Sequence, residues 1–407
     1  MGVISVFVRF DTAQELLKKY GSPLYVYSES VLRERCRDLL KAFHGKIRPS
    51  FSAKANTNLT LLKIIHEEGL GADAMSPGEI YLLEKSGFSS KEIFYIGNNV
   101  SCEEMSYCIE RDILVSVDSL SQLEQFGQIN PGGRVAVRFN PGIGAGHCDK
   151  VITAGPKTKF GVQAEFYPEV KEILEKYDLH LVGINQHIGS LFLEAEPYVN
   201  AARSLLDLIA ENFPGLEFID FGGGFGVPYK PEEKRLVLSE LSRKLFELID
   251  VFLEKYDNKN VHFKCEPGRY ISAECGLLLG TVNAVKKNFD KNYVGTDIGF
   301  NVIMRHVLYD SYHEIEVLSD KNLVGDTGDV TIVGNICESG DILASDRNIG
   351  PVSEGDIIAV KNAGAYGYSM ASNYNSRLRP AEVLITEDGS VRLIRKADTL
   401  KGLMENF

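Results

Sequence analysis

Short apolar segments with strand character alternate with helix-like segments at a nearly constant spacing from Arg48 to Arg269. In the helix-like segments the apolar residues recur three or four positions apart, as on an amphipathic helix. About eight such units follow one another, from the strand candidate Arg48–Ala53 to the one that opens VHFKCEPGR. Strands that alternate with helices pair in parallel through right-handed crossovers, so this stretch predicts a closed (β/α)8 barrel of the TIM type.

The pattern changes after about Cys275. Short alternating runs with strand character, such as GLLLGTVNAV, VTIVGNI and AEVLITEDGS, are separated there by Gly, Asp and Asn turns. A run of the same kind, PLYVYSES, precedes the first helix of the barrel region. We therefore expect an α/β protein with a barrel domain over 29–270 and an all-β domain, sandwich-like or barrel-like, formed by 1–28 and 271–407.

Charge and composition narrow the classes of partner. The 407 residues carry a formal net charge of −12, which weighs against nucleic acid or an anionic membrane surface as the main partner. No apolar run approaches the roughly 20 residues of a membrane helix, and MGVISVFVRF is too short for a secretory signal. Seven cysteines without a C-x-x-C pair predict reduced thiols rather than disulfides or structural zinc. We expect a cytoplasmic protein without a bound metal.

Several motifs follow predicted barrel strands, at the end where barrels expose functional side chains. They are Lys54 in RPSFSAKANTN, HIGS at His187–Ser190, the glycine run Gly222–Gly224, and EPGR at Glu266–Arg269. Consecutive glycines let backbone N–H groups approach an anion, and we expect the helix that follows them to add a favourable dipole, which suits a phosphate. A strand-end lysine or a glycine turn is by itself equally typical of a surface or a tight turn. The set, together with CESGD and AGAYG in the β region, indicates one shared ligand.

With these motifs the chain resembles the diaminopimelate decarboxylases, a family of PLP-dependent decarboxylases with the alanine racemase fold that is related to the ornithine decarboxylases. The resemblance covers nearly the whole chain. It is carried by PLYVYSES, AKANTN, GADAMSPGE, KFGV, HIGS, GGGFG, EPGR, MRHVLYDSYHEI, CESGD, AGAYGYSMASNYN and RPAEVL.

The resemblance implies pyridoxal 5′-phosphate (PLP) as the cofactor. Lys54 would bind its aldehyde, His187 would stack on its ring, and Glu266 would face the ring nitrogen, where a carboxylate keeps the ring protonated. Asp73 would help to position Lys54. The implied cofactor-binding set is Lys54, Asp73, His187, Ser190, Gly223, Gly224, Glu266, Gly268, Arg269 and Tyr366.

The same resemblance implies meso-2,6-diaminopimelate as the small amino-acid substrate, which would be decarboxylated to L-lysine. Cys337 would protonate the carbanion and so be catalytic together with Lys54. The implied substrate-binding set is Arg269, Arg305 and Tyr309 at the distal carboxylate, Glu338 at the distal ammonium, and Tyr366. The CESGD loop would serve the neighbouring subunit, which implies a homodimer with two shared active sites.

Three residues depart from the family pattern near the substrate pocket: Gln186, Val302 and His306. They leave open a related substrate, namely D-lysine, D-ornithine, carboxynorspermidine or a carrier-bound glutamate. Cys337 is followed by Glu338 rather than by the aspartate typical of ornithine decarboxylases, which favours a dicarboxylic substrate. An amino-acid racemase and a non-catalytic regulator on the same fold are alternatives from other classes. Zinc hydrolysis is a further option for a barrel, but the histidines lack ligand spacing.

Overall fold

The computed structural model describes residues 7–142, 154–155, 158–321 and 328–407. In these ranges the helices are α1 Phe10–Tyr20, α2 Glu29–Phe43, α3 Leu59–Glu67, α4 Pro77–Lys85, α5 Cys102–Ile109, α6 Leu120–Ile129, α7 Tyr167–Lys176, α8 Glu196–Asn212, α9 Leu238–Lys255, α10 Arg269–Ser272 and α11 Arg305–Tyr309. None of them has the length and apolar character that a membrane span requires.

The strands in the same ranges form two sheets. They are β1 Leu24–Ser28, β2 Ile47–Ser52, β3 Gly71–Ala74, β4 Ile93–Tyr95, β5 Leu114–Val117, β6 Arg134–Asn140, β7 Val162–Gln163, β8 His180–Asn185, β9 Phe218–Asp220, β10 His262–Cys265, β11 Gly276–Asn288, β12 Lys291–Thr296, β13 Ile315–Leu318, β14 Val330–Val333, β15 Ile342–Arg347, β16 Ile357–Val360, β17 Ala381–Ile385 and β18 Val391–Arg395.

The chain divides into two compact units. One, called the barrel unit here, comprises 33–227 and 234–271, and the other, called the β unit, comprises 1–32, 228–233 and 272–407. The domain bounds expected from the sequence, 29–270 against 1–28 and 271–407, stay a prediction about how the chain is organised.

Parallel strands close the barrel unit. Among the described residues the order is β2, β3, β4, β5, β6, β8, β9 and β10, and β10 pairs in turn with β2. The two-residue strand β7 adds to the edge of β6. Phe94 and Phe218 meet edge to face, with ring centroids 5.3 Å apart, in a buried apolar cluster that includes Ala136 and Val182. The predicted (β/α)8 barrel is confirmed.

Polar side chains fix where the barrel helices begin. The side chain of Asn58 accepts from the N–H of Thr60 at the start of α3, and Ser76 accepts from the N–H of Glu79 at the start of α4. Ser101 and Ser119 cap α5 and α6 in the same way. Each cap satisfies an N–H that the helix itself leaves without a partner. The start of each of these four helices is therefore fixed by the residue directly before it.

The β unit contains a mostly antiparallel sheet in the order β15, β14, β12, β11, β1, β17 and β18, with β16 pairing both β11 and β13. The helix α1, which sequence reasoning missed, packs Ala13 and Leu16 against Leu24, Val26 and other buried residues of this sheet. The alternation expected for its strands is absent from β1 and from the first half of β11, where every residue from 276 to 280 is buried. Side chains pack on both faces of these central strands, so alternation has no physical basis there.

Candidate active site

Lys54 stands directly after β2, in a single turn of 3-10 helix from Ala53 to Ala55. Asp73, near the end of the neighbouring strand β3, is fully buried and accepts a hydrogen bond from the hydroxyl of Ser52 at 3.1 Å. Burial raises the pKa of Asp73 to about 7, and the charge of Lys54 opposes that rise. Two adjacent strand ends thus bring the predicted lysine and its predicted positioning carboxyl into one electrostatic environment.

His187 follows β8 and is held by a glycine. The backbone N–H of Gly223 donates to Nδ1 of His187 at 3.0 Å, so Nδ1 carries no proton. Burial, followed by the charges of Lys54 and Arg138, holds the pKa of His187 well below its usual range. A neutral imidazole of this kind offers a flat apolar face to a ring stacked upon it.

Glu266 lies directly after β10 and is 4% exposed. Its Oε2 is 4.0 Å from Nδ1 of His187, and its Oε1 has no hydrogen-bond partner among the described residues. Burial raises the pKa of Glu266 well above its usual value, and the nearby carboxyls of Asp220 and Asp73 raise it further. Such a group binds a proton readily or shares one with a basic nitrogen placed against Oε1.

The glycine run Gly222–Gly224 approaches other backbone segments so closely that side chains are excluded. A Cβ on Gly222 would lie 2.2 Å from the carbonyl oxygen of Gln186, and one on Gly223 would lie 2.0 Å from that of Glu266. Gly224 adopts a left-handed φ of 106°. The expected long helix follows this run, but it begins only at Leu238, so its N-terminus does not place a dipole directly at the glycines. Close backbone packing therefore excludes side chains from this turn, and the N–H groups of Gly222 and Gly223 already donate to Asp220 and His187.

Arg269, the first residue of α10, lies beside Ser190 of the HIGS motif. Its Nε and Nη2 donate to the Ser190 hydroxyl at 3.3 Å and 3.1 Å, and the residue is 6% exposed. Gly268 immediately precedes it. The barrel unit therefore brings together Lys54, Asp73, His187, Ser190, Gly223, Gly224, Glu266, Gly268 and Arg269 at or just after the strand ends.

In the β unit, Arg305 begins the short helix α11 and is 2% exposed. Its Nη1 donates to the hydroxyl of Tyr229 at 3.0 Å and lies 2.9 Å from Nε2 of His313, while Nη2 donates to Ser311 at 3.3 Å. Tyr309 ends the same helix and is half-buried. The guanidinium is thus held by three side chains from two segments, Tyr229 from one and Ser311 and His313 from the other.

Cys337 and Glu338 are both exposed, and neighbouring residues hold their loop. The backbone N–H of Cys337 donates to Oδ1 of Asn375 at 2.8 Å, and the hydroxyl of Tyr374 donates to Oε1 of Glu338. The ring of Tyr374 stacks on Phe300 with centroids 5.5 Å apart.

Tyr366, in the AGAYG motif of the β unit, has an unusual backbone conformation. Its φ is 57°, in the left-handed region that a residue with a bulky side chain rarely adopts. Backbone conformations of this kind are found most often at active sites and ligand-binding sites.

Three buried charged residues of the barrel were not among the sequence candidates. Arg138 at the end of β6 is 3.9 Å from Asp118, and the two are 5% and 6% exposed. Asp220 at the end of β9 is fully buried, accepts from the N–H of Gly222 at 2.8 Å and has a pKa raised by burial to about 6. The sequence does contain a signal for these three residues, because each is a charged residue in or directly after an apolar strand segment: RVAVRFN, ILVSVD and EFIDF. Within the described ranges no group of His, Cys, Asp and Glu side chains is placed to hold a metal ion.

The barrel residues fit the PLP that the sequence predicts. Lys54 offers an amine for the aldehyde, the glycine run offers a turn too tightly packed for side chains, and Oε1 of Glu266 is a buried oxygen able to accept a hydrogen bond from a protonated ring nitrogen. His187, held neutral by Gly223, suits stacking on the ring. The donor set therefore matches a phosphorylated pyridine aldehyde in each of its three functional parts.

Comparison with known proteins identifies the family. Residues 29–273 match the family described as pyridoxal-dependent decarboxylase, pyridoxal binding domain. The diaminopimelate decarboxylase of Methanothermobacter thermautotrophicus is 42% identical over 400 residues, which are 96% of this chain and 93% of that protein. The L-lysine complex of the Helicobacter pylori diaminopimelate decarboxylase is 31% identical with a TM-score of 0.88, over 97% of this chain and 98% of that one. The L-lysine complex of the M. jannaschii diaminopimelate decarboxylase is 33% identical with a TM-score of 0.88, over 97% of this chain and 94% of that one. The predicted cofactor is thereby confirmed, and the chain belongs to the diaminopimelate decarboxylase family of pyridoxal-dependent decarboxylases.

Proposed function

We propose that this chain decarboxylates meso-2,6-diaminopimelate to L-lysine and carbon dioxide. The observation that carries the proposal is the full-length similarity to proteins named diaminopimelate decarboxylase, at 42% identity for the Methanothermobacter relative. Solved structures that cover 97% of this chain contain L-lysine, which is the product of that reaction. The buried cationic side chain Arg305 adds a reason from this chain itself, because a second carboxylate distinguishes diaminopimelate from lysine and ornithine.

The barrel residues would prepare the reaction. When bound, PLP supplies an electron sink for the pair released as carbon dioxide leaves. Lys54 would hold the cofactor and give up its place to the substrate's amine. Glu266, whose pKa burial raises, would hold a proton at the ring nitrogen, and His187 would keep the ring in place and exclude water from one face. The Gly223, Gly224, Ser190 and Gly268–Arg269 segments would bind the phosphate.

The β unit would supply the substrate contacts. Arg305 and Tyr309, together with Arg269, would hold the distal carboxylate, and Glu338 would accept the distal ammonium. A planar guanidinium binds a carboxylate through two parallel hydrogen bonds, so it fixes orientation as well as position. Holding the far end of the substrate aligns the bond to be broken with the cofactor ring. Substrate identity would thus be decided away from the reacting carbon.

Cys337 would return a proton to the carbon that lost the carboxylate, with Tyr366 beside the cofactor. Because Cys337 and Glu338 are exposed, we propose that their loop completes a site of the partner subunit in a homodimer with two shared sites. The barrel domain over 29–270 would hold the cofactor, and the β domain from 1–28 and 271–407 would supply the substrate and dimer loops. We place the enzyme in the cytoplasm, in keeping with the free thiols of the six cysteines that the structure describes.

A panel of substrates tests the proposal. The purified enzyme is incubated with meso-diaminopimelate, D-lysine, D-ornithine, L-ornithine and L-lysine, and carbon dioxide release is measured. We expect kcat/KM for meso-diaminopimelate to exceed the others by at least roughly a hundredfold, because a closed pocket with a guanidinium left without its anion costs several kcal/mol. Arg305→Met should lower the value for diaminopimelate far more than that for lysine, whereas Arg243→Met on the exposed face of α9 should change neither.

Preference for D-lysine or D-ornithine would overturn the substrate while leaving the reaction class intact. The residues to examine would then be Gln186 and His306. Both are buried, and their side-chain nitrogens, with the amide oxygen of Gln186, lack hydrogen-bond partners among the described residues. Failure to release carbon dioxide from any of the five, in a protein that holds PLP on Lys54, would overturn the decarboxylase proposal itself.

A further inference from the structure

His313 joins the guanidinium of Arg305 to the backbone of Lys361. Its Nδ1 is 2.7 Å from the carbonyl oxygen of Lys361, and its Nε2 is 2.9 Å from Nη1 of Arg305. The carbonyl oxygen can only accept and the guanidinium can only donate. These two contacts therefore require a single tautomer, with the proton on Nδ1 and the lone pair of Nε2 aimed at Arg305. In this state the imidazole is uncharged.

Tyr229 supports the same guanidinium from another segment. Its hydroxyl accepts from Nη1 at 3.0 Å, its ring lies 4.9 Å from the guanidinium carbon, and its ring meets that of His313 edge to face with centroids 5.2 Å apart. The segment is itself anchored, because the amide of Asn362 donates to the carbonyl of Pro228 at 2.9 Å. Tyr229 and His313 thus pack as one block against Arg305.

The chemistry of these supports matters for what Arg305 can do. Tyr229, His313 and Ser311 accept hydrogen bonds without carrying negative charge, so these three side chains orient the guanidinium without themselves adding an anion beside it. The helix α11 has only five residues, and Asp310, which follows its last residue, has a left-handed conformation with φ of 53°. A helix this short cannot fix a long side chain by itself, so the direction of the guanidinium depends on its side-chain neighbours.

We propose that His313 is a positioning residue that determines substrate specificity: as a neutral acceptor fixed by Lys361, it aims Arg305 at the distal carboxylate of the substrate. This inference rests on the proposed function, in which Arg305 binds that carboxylate. His313 itself acts only through Arg305. Its removal should therefore weaken the binding of ligands that carry the distal carboxylate and should spare ligands that lack it.

Three substitutions separate the two contacts of His313. In His313→Gln the amide oxygen reaches the place of Nε2 and can accept from Arg305. In His313→Asn the shorter amide reaches the place of Nδ1, so it keeps the contact to Lys361 and loses the one to Arg305. His313→Leu loses both. His180→Asn, at an exposed histidine that begins β8, is the control.

The measurement is competitive inhibition of the PLP-loaded enzyme by L-lysine and by cadaverine. L-lysine keeps the carboxylate that was distal in diaminopimelate, and cadaverine is the same diamine without it. We expect the Asn and Leu variants to weaken L-lysine about tenfold to a hundredfold, with KM for diaminopimelate rising in parallel, and to leave cadaverine within about threefold. The Gln variant should stay close to the wild type, and the His180→Asn control should match it.

Equal weakening of L-lysine and cadaverine, or a Gln variant as poor as the Asn variant, would overturn the positioning role. PLP content per subunit and thermal unfolding are measured alongside. If the Leu variant does not fold, the polar Gln and Asn pair still decides the outcome. Arg305→Met tests the proposed function separately from the role of His313. If that substitution leaves the ratio of L-lysine to cadaverine affinity unchanged, the proposed contact between Arg305 and the distal carboxylate fails. If Arg305→Met collapses the ratio but His313→Asn does not, only the role of His313 fails.

Discussion

The candidate-site residues of the barrel and those of the Cys337–Glu338 loop are held in place in different ways. Asp73, His187 and Glu266 lie in the barrel unit, where burial shifts each pKa away from its usual value. Cys337 and Glu338 are exposed in the β unit and are placed by hydrogen bonds to Asn375 and Tyr374. In the barrel the fold thus places the side chains and also shifts their pKa values, whereas in the loop hydrogen bonds at the surface place them.

This difference indicates how each region should respond to substitution. A change in the barrel alters the electrostatics of neighbouring groups, because charges interact strongly where water is excluded. A change in the loop alters a contact at the surface, where water replaces a lost partner. Barrel substitutions should therefore affect cofactor binding and stability together, and loop substitutions should affect turnover with little effect on either.

The largest effect is expected for Lys54→Ala. Without this amine the cofactor has no covalent anchor, and decarboxylation should fall by at least roughly a thousandfold together with the visible absorption of lysine-bound PLP. Borohydride reduction of the wild type followed by peptide mapping should place the label on Lys54. Lys63→Ala, at an exposed lysine of α3, is the matched control and should retain both activity and absorption. A label on another lysine would contradict the assignment.

A mixture of inactive Lys54→Ala and inactive Cys337→Ala proteins tests whether the two regions act across subunits. If each site takes Lys54 from one chain and Cys337 from the other, half of the dimers after random exchange are mixed and each has one complete site, so about a quarter of wild-type activity should return. Activity is assayed after subunit exchange has been demonstrated with differently tagged chains. No recovery would place both residues of each site in the same chain.

A smaller effect concerns the pH dependence of stability and belongs to the barrel alone. The folded pKa of Glu266 is raised, so the unfolded chain releases this proton at a lower pH than the folded chain does. The stabilising contribution is therefore present below the unfolded pKa and is lost as pH rises toward the folded pKa. Glu266→Gln should flatten the fall in unfolding free energy of cofactor-free protein between pH 5 and 8, by up to about 1.4 kcal/mol per pH unit.

The difference between the Glu266→Gln curve and the wild-type curve isolates the contribution of Glu266, because the other groups are present in both proteins. Asp73 and Asp220, with raised pKa values of about 7 and about 6, add falls of the same sign, and His187, with a lowered pKa, loses stability as pH falls instead. Urea unfolding at each pH measures the free energy. Glu247→Gln, on the exposed face of α9, should leave the curve unchanged. A Glu266→Gln curve with the wild-type slope would mean that Glu266 ionises normally.

The smallest effect is expected in the loop. Tyr374→Phe removes the hydroxyl that donates to Glu338 but keeps the ring that stacks on Phe300. We expect kcat/KM for diaminopimelate to fall about threefold to tenfold, while the melting temperature and PLP content stay at wild-type values. Steady-state kinetics and a thermal melt give the two readouts, with Tyr81→Phe on α4 as the exposed control. A large drop in melting temperature would show that the loop contributes to the fold as well.

Sequence reasoning succeeded where the signal is local and repeats. The barrel follows from strand and helix patterns that recur unit by unit between Arg48 and Arg269, and the cofactor motifs stand at strand ends because parallel strands share one direction. The helix α1 was missed since one isolated amphipathic segment resembles many loops. Alternation failed in β1 and β11 because burial on both faces depends on what packs there, which no strand pattern contains.

Within the candidate site, the residues that were missed act through distant partners. Arg138 and Asp220 each look like a single charge in an apolar strand, and only the pairing of strands in the barrel brings both of them near Glu266. Tyr229 contacts Arg305 across 76 positions of sequence, so no local pattern pairs them. A helix dipole was expected at the glycine run because many glycine-rich turns lead straight into a helix. Here α9 begins only at Leu238.

The glycine run also limits how far laboratory evolution could reshape the cofactor pocket. A methyl group at Gly222 or Gly223 would collide with the carbonyl oxygen of Gln186 or of Glu266, and a carbonyl that belongs to the barrel backbone cannot rotate aside as a side chain can. Libraries that randomise these codons should return almost only the parent residue. Substitutions that change ligand preference would have to be made at neighbouring residues such as Gln186 and Phe192, because side chains can change conformation where the backbone cannot.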